Sequence, residues 1–385
     1  MGRRASGTVD EKSTVQLGDV DSLSDMVSKN LKKQFKDLDL SYLSDDEDAI
    51  TDVKEWISTG SSLLDLRISN RPYGGIPVGR VTEILGLEGS GKSLIAAHIL
   101  ANTQKKGGLG FLIDSEFAIS KEFMKAIGIT TTGPNKIFVS AIEKISDAFS
   151  VMESIINTVR ASDKDRLVTI VVDSVAAFST EGEMEADFGK DGYMTEKSIV
   201  MSKGLRKITN LIGKQRIAVV FTNQFRTKMN APAFASPYTT PGGMALKYHS
   251  SVRIQLTGTG ALRKKDEYGI EQIVGNSVEA KVIKNRVGPP HRKAKFDILF
   301  DSGIDDYSSW LKTLTEYKVV SQGGAYYSYN DEKFMAKNFP QMLRDNPSLK
   351  EELYNKICGF YVMEYKQNGE TIDEDIVLDE TEIIE

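Results

Sequence analysis

Apolar residues arrive in short runs through the middle of the chain, each closed by a polar or turn residue: Arg80–Leu85, Leu109–Ile113, Leu167–Val172 and Ile217–Thr222. Runs of that length, bounded in that way, read as buried strands. Between them lie longer stretches with helical spacing, Ser93–Lys105 and Ile142–Val159. Strands alternating with helices predict an α/β fold around a mostly parallel sheet. The pattern then turns β-rich, at Ser251–Gln255, Ser277–Asn285 and Lys295–Phe300. Upstream, Met26, Leu31, Phe35, Leu38 and Leu40 are spaced roughly like a helix among lysines, followed by the acidic run Ser44-Asp45-Asp46-Glu47-Asp48. The resulting expectation is a helix and acidic linker over 1–50, an α/β core over 51–304, a small α/β C-terminal domain over 305–370 and an acidic tail over 371–385. No internal repeat is visible.

Composition narrows the class. Of 385 residues, 40% are hydrophobic and 27% charged, enough for a large core. No apolar run reaches the ~18 residues of a membrane-spanning helix, so no membrane partner is expected. The start, Met1-Gly2-Arg3-Arg4-Ala5-Ser6, lacks an apolar signal region. It fits a myristoylation pattern and a basic kinase pattern, both frequent by chance, and reads better as an unstructured start or an expression remnant. A lone cysteine, Cys358, allows no internal disulfide and fits a reducing cytoplasm, bacterial or phage-infected. His98, His249 and His291 are scattered, which excludes a Cys/His zinc cluster. The net charge of −5 leaves any nucleic-acid surface to local charge distribution.

Gly86-Leu87-Glu88-Gly89-Ser90-Gly91-Lys92-Ser93 is a complete P-loop between a predicted strand and a predicted helix. Its glycines let backbone N–H groups turn onto phosphate oxygens, and the helix N-terminus favours negative charge. Lys92 is expected to reach the β- and γ-phosphates of ATP and Ser93 to ligate Mg²⁺. Leu167–Asp173 reads as a buried strand ending in a carboxylate, with Asp173 expected to hold the same ion. Core strands often end in Asp at a helix cap, but beside a P-loop the pairing is specific. Ile113-Asp114-Ser115-Glu116 brings carboxylates to another strand end. Glu116 is the candidate base for a hydrolytic water, a cap or surface charge being the other reading. Phe221-Thr222-Asn223-Gln224 ends a fourth strand with two amides, and Gln224 is a candidate sensor of the γ-phosphate. Open α/β sheets place ligands at such carboxyl ends.

Gln224 also opens a stretch without Asp or Glu that runs to Lys265 and holds Arg226, Lys228, Lys247, Arg253, Arg263, Lys264 and Lys265. Its first part, Thr227–Gly243, is rich in small residues, with Phe234 and Tyr238 among them. Cations mixed with aromatic side chains suit a phosphate backbone and splayed bases, whereas a plain surface loop is the other reading. A second loop, Glu185–Met194, leads into a helix with Ser202, Lys203, Arg206 and Lys207. Lys284 and Arg286 stand two apart on a predicted strand and so share a face, as anion-seeking or edge-protecting charges.

In order along the chain, these motifs resemble the RecA family of DNA recombinases, including phage-encoded members. The resemblance runs from about Ile57 to at least Tyr329. It includes Ile57-Ser58-Thr59-Gly60-Ser61, the P-loop, Val171-Val172-Asp173-Ser174-Val175, Asn223-Gln224-Phe225-Arg226 and Thr239–Lys247. Lys281–Arg286, Ala294–Phe300 and Gly324–Tyr329 continue it, and Lys32-Lys33-Gln34-Phe35 looks like part of an N-terminal oligomerisation helix. The resemblance implies a DNA-stimulated ATPase that forms a helical filament on single-stranded DNA and exchanges strands with duplex DNA. Single-strand-binding and loader proteins are further implied partners.

It also assigns roles. Glu116 matches the catalytic glutamate and Gln224 the glutamine that couples the γ-phosphate to the DNA loop. Lys284 and Arg286 match paired lysines that reach a neighbour's ATP, Arg286 being a cationic departure. Phe123 and Phe300 match tyrosines near the adenine, Pro290 joins the nucleotide contacts, and Ser120 replaces a frequent Asp. Ser202, Arg206, Arg226, Lys228, Gly242 and Gly243 match DNA-backbone contacts, and Phe234 an aromatic loop tip. Ile199 falls where an arginine would touch DNA, and Lys197 is the cation expected to compensate. The shared phosphate motifs leave a ring helicase and a non-catalytic DNA coat as rival readings. The Lys284–Arg286 strand and the Gly242-Gly243 loop favour a recombinase over the first, and an intact ATP site favours an enzyme over the second.

Overall fold

The computed structural model describes residues 17–36, 52–116, 120–185, 194–227 and 238–365. The chain divides into two units, 1–52 and 53–385. The first contains α1 (Leu17–Gln34), on which Leu23, Met26, Val27 and Leu31 fall at i, i+3, i+4 and i+8 and stand exposed within that unit. They form one apolar stripe, as helical periodicity requires.

The second unit opens with β1 (Trp56–Ile57), α2 (Ser62–Ser69) and β2 (Ile76–Pro77), which pairs with β1. β3 (Val81–Gly86), α3 (Lys92–Lys105), β4 (Leu109–Asp114), α4 (Lys121–Ala126), β5 (Phe138–Ala141), α5 (Ile145–Ser162), β6 (Val168–Asp173), α6 (Glu181–Glu185), α7 (Met194–Ile212) and β7 (Ile217–Gln224) follow. A small ribbon pairs β8 (Arg226–Thr227) with β9 (Tyr238–Thr239), and α8 (Ala245–His249) leads into the long strands β10 (Val252–Lys265) and β11 (Glu271–Asn285). β12 (Lys293–Leu299), β13 (Gly303–Asp305) and α9 (Asp306–Glu316) complete the sheet region. A three-stranded sheet of β14 (Ser321–Gly323), β15 (Tyr326–Tyr329) and β16 (Glu332–Met335) precedes α10 (Phe339–Asp345) and α11 (Pro347–Tyr361).

The main sheet has nine strands in the order β13-β12-β11-β10-β3-β7-β6-β4-β5. From β10 to β5 every neighbour is parallel, and β11 to β13 add an antiparallel flank. The fold is α/β, as the alternating pattern predicts. Both faces of the parallel part are covered, which is why its strands are nearly continuous apolar runs. One buried cluster joins Leu64, Ile95, Ile99, Val220 and Phe296 to Trp310, Leu314, Phe339 and Leu353. The other joins Met152, Ile156, Val172 and Phe221 to Met201 and Leu205 of α7.

Three features differ from the sequence expectation. β5 was not predicted: its exposed Phe138 and Val139 break the buried-strand pattern at the sheet edge. The β10–β11 hairpin is far longer than its buried part, because Gly258–Lys265 continues the ladder through mostly exposed residues. Arg286 lies just past the end of β11, its N–H donating to the Ser251 carbonyl, so only Lys284 is within the strand.

Candidate ATP and DNA site

β3 ends at Gly86 and the backbone turns at once. A Cβ on Gly86 would lie 2.6 Å from the Leu256 carbonyl oxygen and 2.5 Å from Ser90 Oγ, so a side chain there has no room. Gly91, the N-cap of α3, has φ 93°, and its Cβ would fall 2.6 Å from Ile298 Cδ1. The loop therefore packs closely against β10 and β12 through positions that only glycine fills well. Leu87, Glu88, Gly89 and Ser93 are exposed, whereas Ser90 and Lys92 are buried. Lys92 Nζ donates across the loop to the Leu87 carbonyl at 2.8 Å. Burial pushes the Lys92 ammonium below its ordinary range, opposed by Asp173, Glu116 and Glu88. The Ser90 hydroxyl is buried and finds no partner among the described residues. Glycine amides, a held ammonium and a helix N-terminus form a cradle that fits phosphate.

Four adjacent parallel strands deliver the remaining groups to the same rim. Gly86 is level with Gln224, and Asp114 is level with Asp173. Asp173 accepts hydrogen bonds from Ser93 and Thr222. Burial raises its pKa, and those two hydroxyls oppose the rise. Ser93 and Asp173, both oxygen donors, suit a hard divalent ion that takes its remaining ligands from phosphate and water. Among the described residues no cluster of three acidic, histidine or cysteine side chains offers an all-protein metal site.

Glu116, just beyond β4, is exposed, and its Oε1 accepts from Ser174 Oγ at 2.6 Å and from Gln224 Nε2 at 3.3 Å. Glu116, Gln224, Lys92, Ser93 and Asp173 thus gather at one place. Next to the P-loop is a cleft of about 320 Å³ lined by Gly89, Gly91, Ser93, Phe123, Ile298 and Phe300. Phe123 sits on α4, whose N-cap is Ser120, with Oγ accepting from the Phe123 N–H at 3.2 Å. Phe300 follows β12 and is half exposed. Pro290 lies exposed in the β11–β12 turn and is not among the residues lining that cleft within one chain.

Lys284 is held inside its own subunit, Nζ donating to the carbonyls of Lys247 at 2.6 Å and Tyr248 at 3.1 Å. Burial, then Arg286 and Arg253, lowers its pKa to about 8. Arg286 is exposed. Gly242 and Gly243 have φ of 88° and 70° and pack against α7. A Cβ on Gly243 would lie 2.7 Å from Ser198 Oγ. Ser202 is half-buried and Arg206 exposed on that helix. Arg226 is in β8, paired with Thr239, while Lys228 and Phe234 lie outside the described residues.

Two basic residues are not where the sequence reading put them. Lys197 does not present its ammonium outward: it is 8% exposed and donates to the carbonyls of Phe178 at 2.5 Å and Ala176 at 3.3 Å. Arg253 is likewise removed from the basic surface, its Nε 2.5 Å from Glu83 Oε2 in a buried ion pair. Glu83 also accepts from Asn223 Nδ2 at 3.1 Å, and the same amide donates to the Pro241 carbonyl at 3.2 Å. Sequence reasoning missed this chain of contacts. The available signal was a charged residue inside each of two apolar strands, Glu83 in β3 and Arg253 in β10.

A P-loop at the end of a central parallel strand, a carboxylate two strands away and a base candidate one strand further define a P-loop ATPase. Known proteins narrow the class. Residues 23–305 match the family model described as the RecA N-terminal domain. The chain is 37% identical over 305 residues to Protein RecA of Clostridium novyi (strain NT), covering 79% of this chain and 82% of that protein. Protein RecA of Campylobacter jejuni subsp. doylei is 35% identical over 352 residues, 91% of this chain and 96% of that protein. Protein RecA of Paracoccus denitrificans is 34% identical over 313 residues, 81% and 83% of the two chains. The chain belongs to the RecA family. It is accordingly an ATP-dependent DNA recombinase with DNA-dependent ATPase activity, acting as a DNA-bound filament. Among the described residues no helix is long and apolar enough to cross a membrane.

Proposed function

We propose that the rim at the ends of β3, β4, β6 and β7 binds ATP between neighbouring subunits, and that its occupancy governs the grip on single-stranded DNA. The observation that carries this reading is the contact between Glu116 and Gln224. It joins the base candidate to the residue from which the chain enters the β8–β9 ribbon. Lys92 and the P-loop amides hold the phosphates, with Phe123 and Phe300 flanking the base. Mg²⁺, when bound through Ser93 and Asp173, offsets charge on the phosphate oxygens. Glu116 accepts the proton of the attacking water, and Lys284 and Arg286 are offered to the ATP of the next subunit. Ser202, Arg206, Arg226, Lys228, Gly242 and Gly243 contact the DNA backbone, and Phe234 offers it an aromatic side chain. The filament then samples duplex DNA, and base pairing supplies sequence recognition.

The test is ATP hydrolysis and strand exchange by two variants. Lys92→Ala is expected to lose ATP-dependent DNA binding and exchange. Glu116→Gln is expected to bind ATP and form filaments while hydrolysing at least ~10²-fold more slowly, the usual contribution of a general base. Normal exchange by Lys92→Ala refutes the nucleotide assignment, and unchanged turnover by Glu116→Gln removes that residue from the chemistry. Closed rings seen by electron microscopy in ATP would favour a helicase instead.

A further inference from the structure

We infer that Ser174 is a positioning residue for the Glu116 carboxylate, and that Ser115 fixes Ser174 where it can act. The inference rests on the proposal that Glu116 is the base. An exposed glutamate has three rotatable side-chain bonds, so a base on that side chain needs a partner to hold it. Ser174 is such a partner: it is 1% exposed, and its hydroxyl donates to Oε1 at 2.6 Å.

Ser174 is itself fixed from two sides. The Ser115 hydroxyl donates to the Ser174 carbonyl at 2.8 Å and accepts from the Ser174 N–H at 2.9 Å. The Ser115 N–H donates to the Asp173 carbonyl at 2.8 Å, extending the β4–β6 pairing beyond its last level pair, Asp114 and Asp173. On the β7 side, the Val175 N–H donates to the Thr222 carbonyl at 3.0 Å. The Glu116 backbone is tied back in turn, its N–H donating to Asp114 Oδ1 at 3.0 Å. Buried polar groups with this many partners hold one arrangement.

The two donors on Oε1 differ in what else they answer to. Ser174 is stitched into the sheet. Gln224 ends β7, where the chain leaves for the β8–β9 ribbon, and its bond is the longer at 3.3 Å. If Gln224 turns toward the γ-phosphate, Ser174 keeps the carboxylate in place. An alanine at position 115 would keep the backbone but lose both side-chain bonds to Ser174, so the clamp depends on that hydroxyl.

The test is steady-state DNA-stimulated hydrolysis by the full chain, with binding of a fluorescent ATP analogue and a thermal melt on each variant. Ser174→Ala is expected to lower kcat roughly tenfold, part of the ~10²–10⁴ available to a general base, with KM for ATP and analogue binding within about twofold. Ser174→Thr, which keeps the hydroxyl, is expected to recover most of the loss. Ser115→Ala is expected to give a smaller loss, also in kcat alone. In a Glu116→Gln background, Ser174→Ala is expected to add nothing. Wild-type kcat in Ser174→Ala beside a slow Glu116→Gln overturns the inference, as does a full further loss in the double variant. Normal turnover by Glu116→Gln overturns the base assignment instead. If Ser174→Ala fails to fold, Ser115→Ala decides: an unchanged kcat overturns the inference.

Discussion

Replacing Arg253 with Met is expected to be among the most destabilising single changes in the sheet. The guanidinium lies 2.5 Å from Glu83, with side-chain exposures of 7% and 0%. Methionine keeps much of the stem but leaves the Glu83 carboxylate in the sheet with the Asn223 amide at 3.1 Å. Removing one partner of a buried pair costs about 3–5 kcal/mol, because the remaining charge stays away from water. At roughly 1.4 °C per kcal/mol for a unit of this size, the melting temperature should fall by roughly 4–7 °C. Neutralising both partners, Glu83→Gln with Arg253→Met, keeps an acceptor for Asn223 and is expected to recover most of that loss. Urea midpoints of the parent, both singles and the double, followed by tryptophan fluorescence, give the coupling energy. An Arg253→Met unfolding free energy within about 1 kcal/mol of the parent would show that water or rearrangement relieves the buried charge, and the argument would fail.

Two further outcomes follow from the geometry. Burial lifts the Asp65 carboxyl to about 7, against the hydrogen bonds from Ser58 and Thr59, so the native state keeps a proton that the unfolded chain releases near pH 4. Its stabilisation is complete below that range and is lost as pH rises through about 7. Asp65→Asn should therefore flatten the decline in melting temperature between pH 5 and 8, and an unaltered slope would rule that out. Lys284→Ala with Arg286→Ala should leave nucleotide binding by isolated subunits intact but abolish DNA-stimulated hydrolysis. Mixing that variant with Glu116→Gln should restore part of the activity if the cations act across the interface, whereas co-assembled filaments without activity would confine them to a structural role.

The parallel core was legible because each strand is an apolar run closed by a polar residue, and the phosphate motif because glycine spacing has few other causes. The strand-end residues Asp173, Glu116 and Gln224 could be chosen for the same reason: a parallel sheet presents carboxyl ends on one side. What stayed hidden depended on pairing across the chain. Arg253 and Lys197 read as basic surface because composition cannot show Glu83 or the Phe178 carbonyl opposite them. β5 and the outer β10–β11 ladder stayed hidden because exposed strands carry little hydrophobic pattern. Ser174 was visible only as part of a motif, since nothing local tells a serine that holds a carboxylate from one that caps a turn.

The level alignment of the strand ends bears on where this chain accepts added sequence. Side chains alternate faces along a strand, so one residue inserted within β4, β6 or β7 would swing Glu116, Asp173 or Gln224 to the wrong side or off the rim. The tip of the β10–β11 hairpin carries no such constraint. There Asp266 Oδ1 accepts the N–H groups of Tyr268 and Ile270, each at 2.9 Å, in an exposed turn beyond the strands' last shared pair, Lys265 and Glu271. A fluorescent tag or affinity peptide placed between Glu267 and Gly269 would extend a surface turn and leave the sheet's phase unchanged, giving a labelled protein in which the catalytic rim keeps its native geometry.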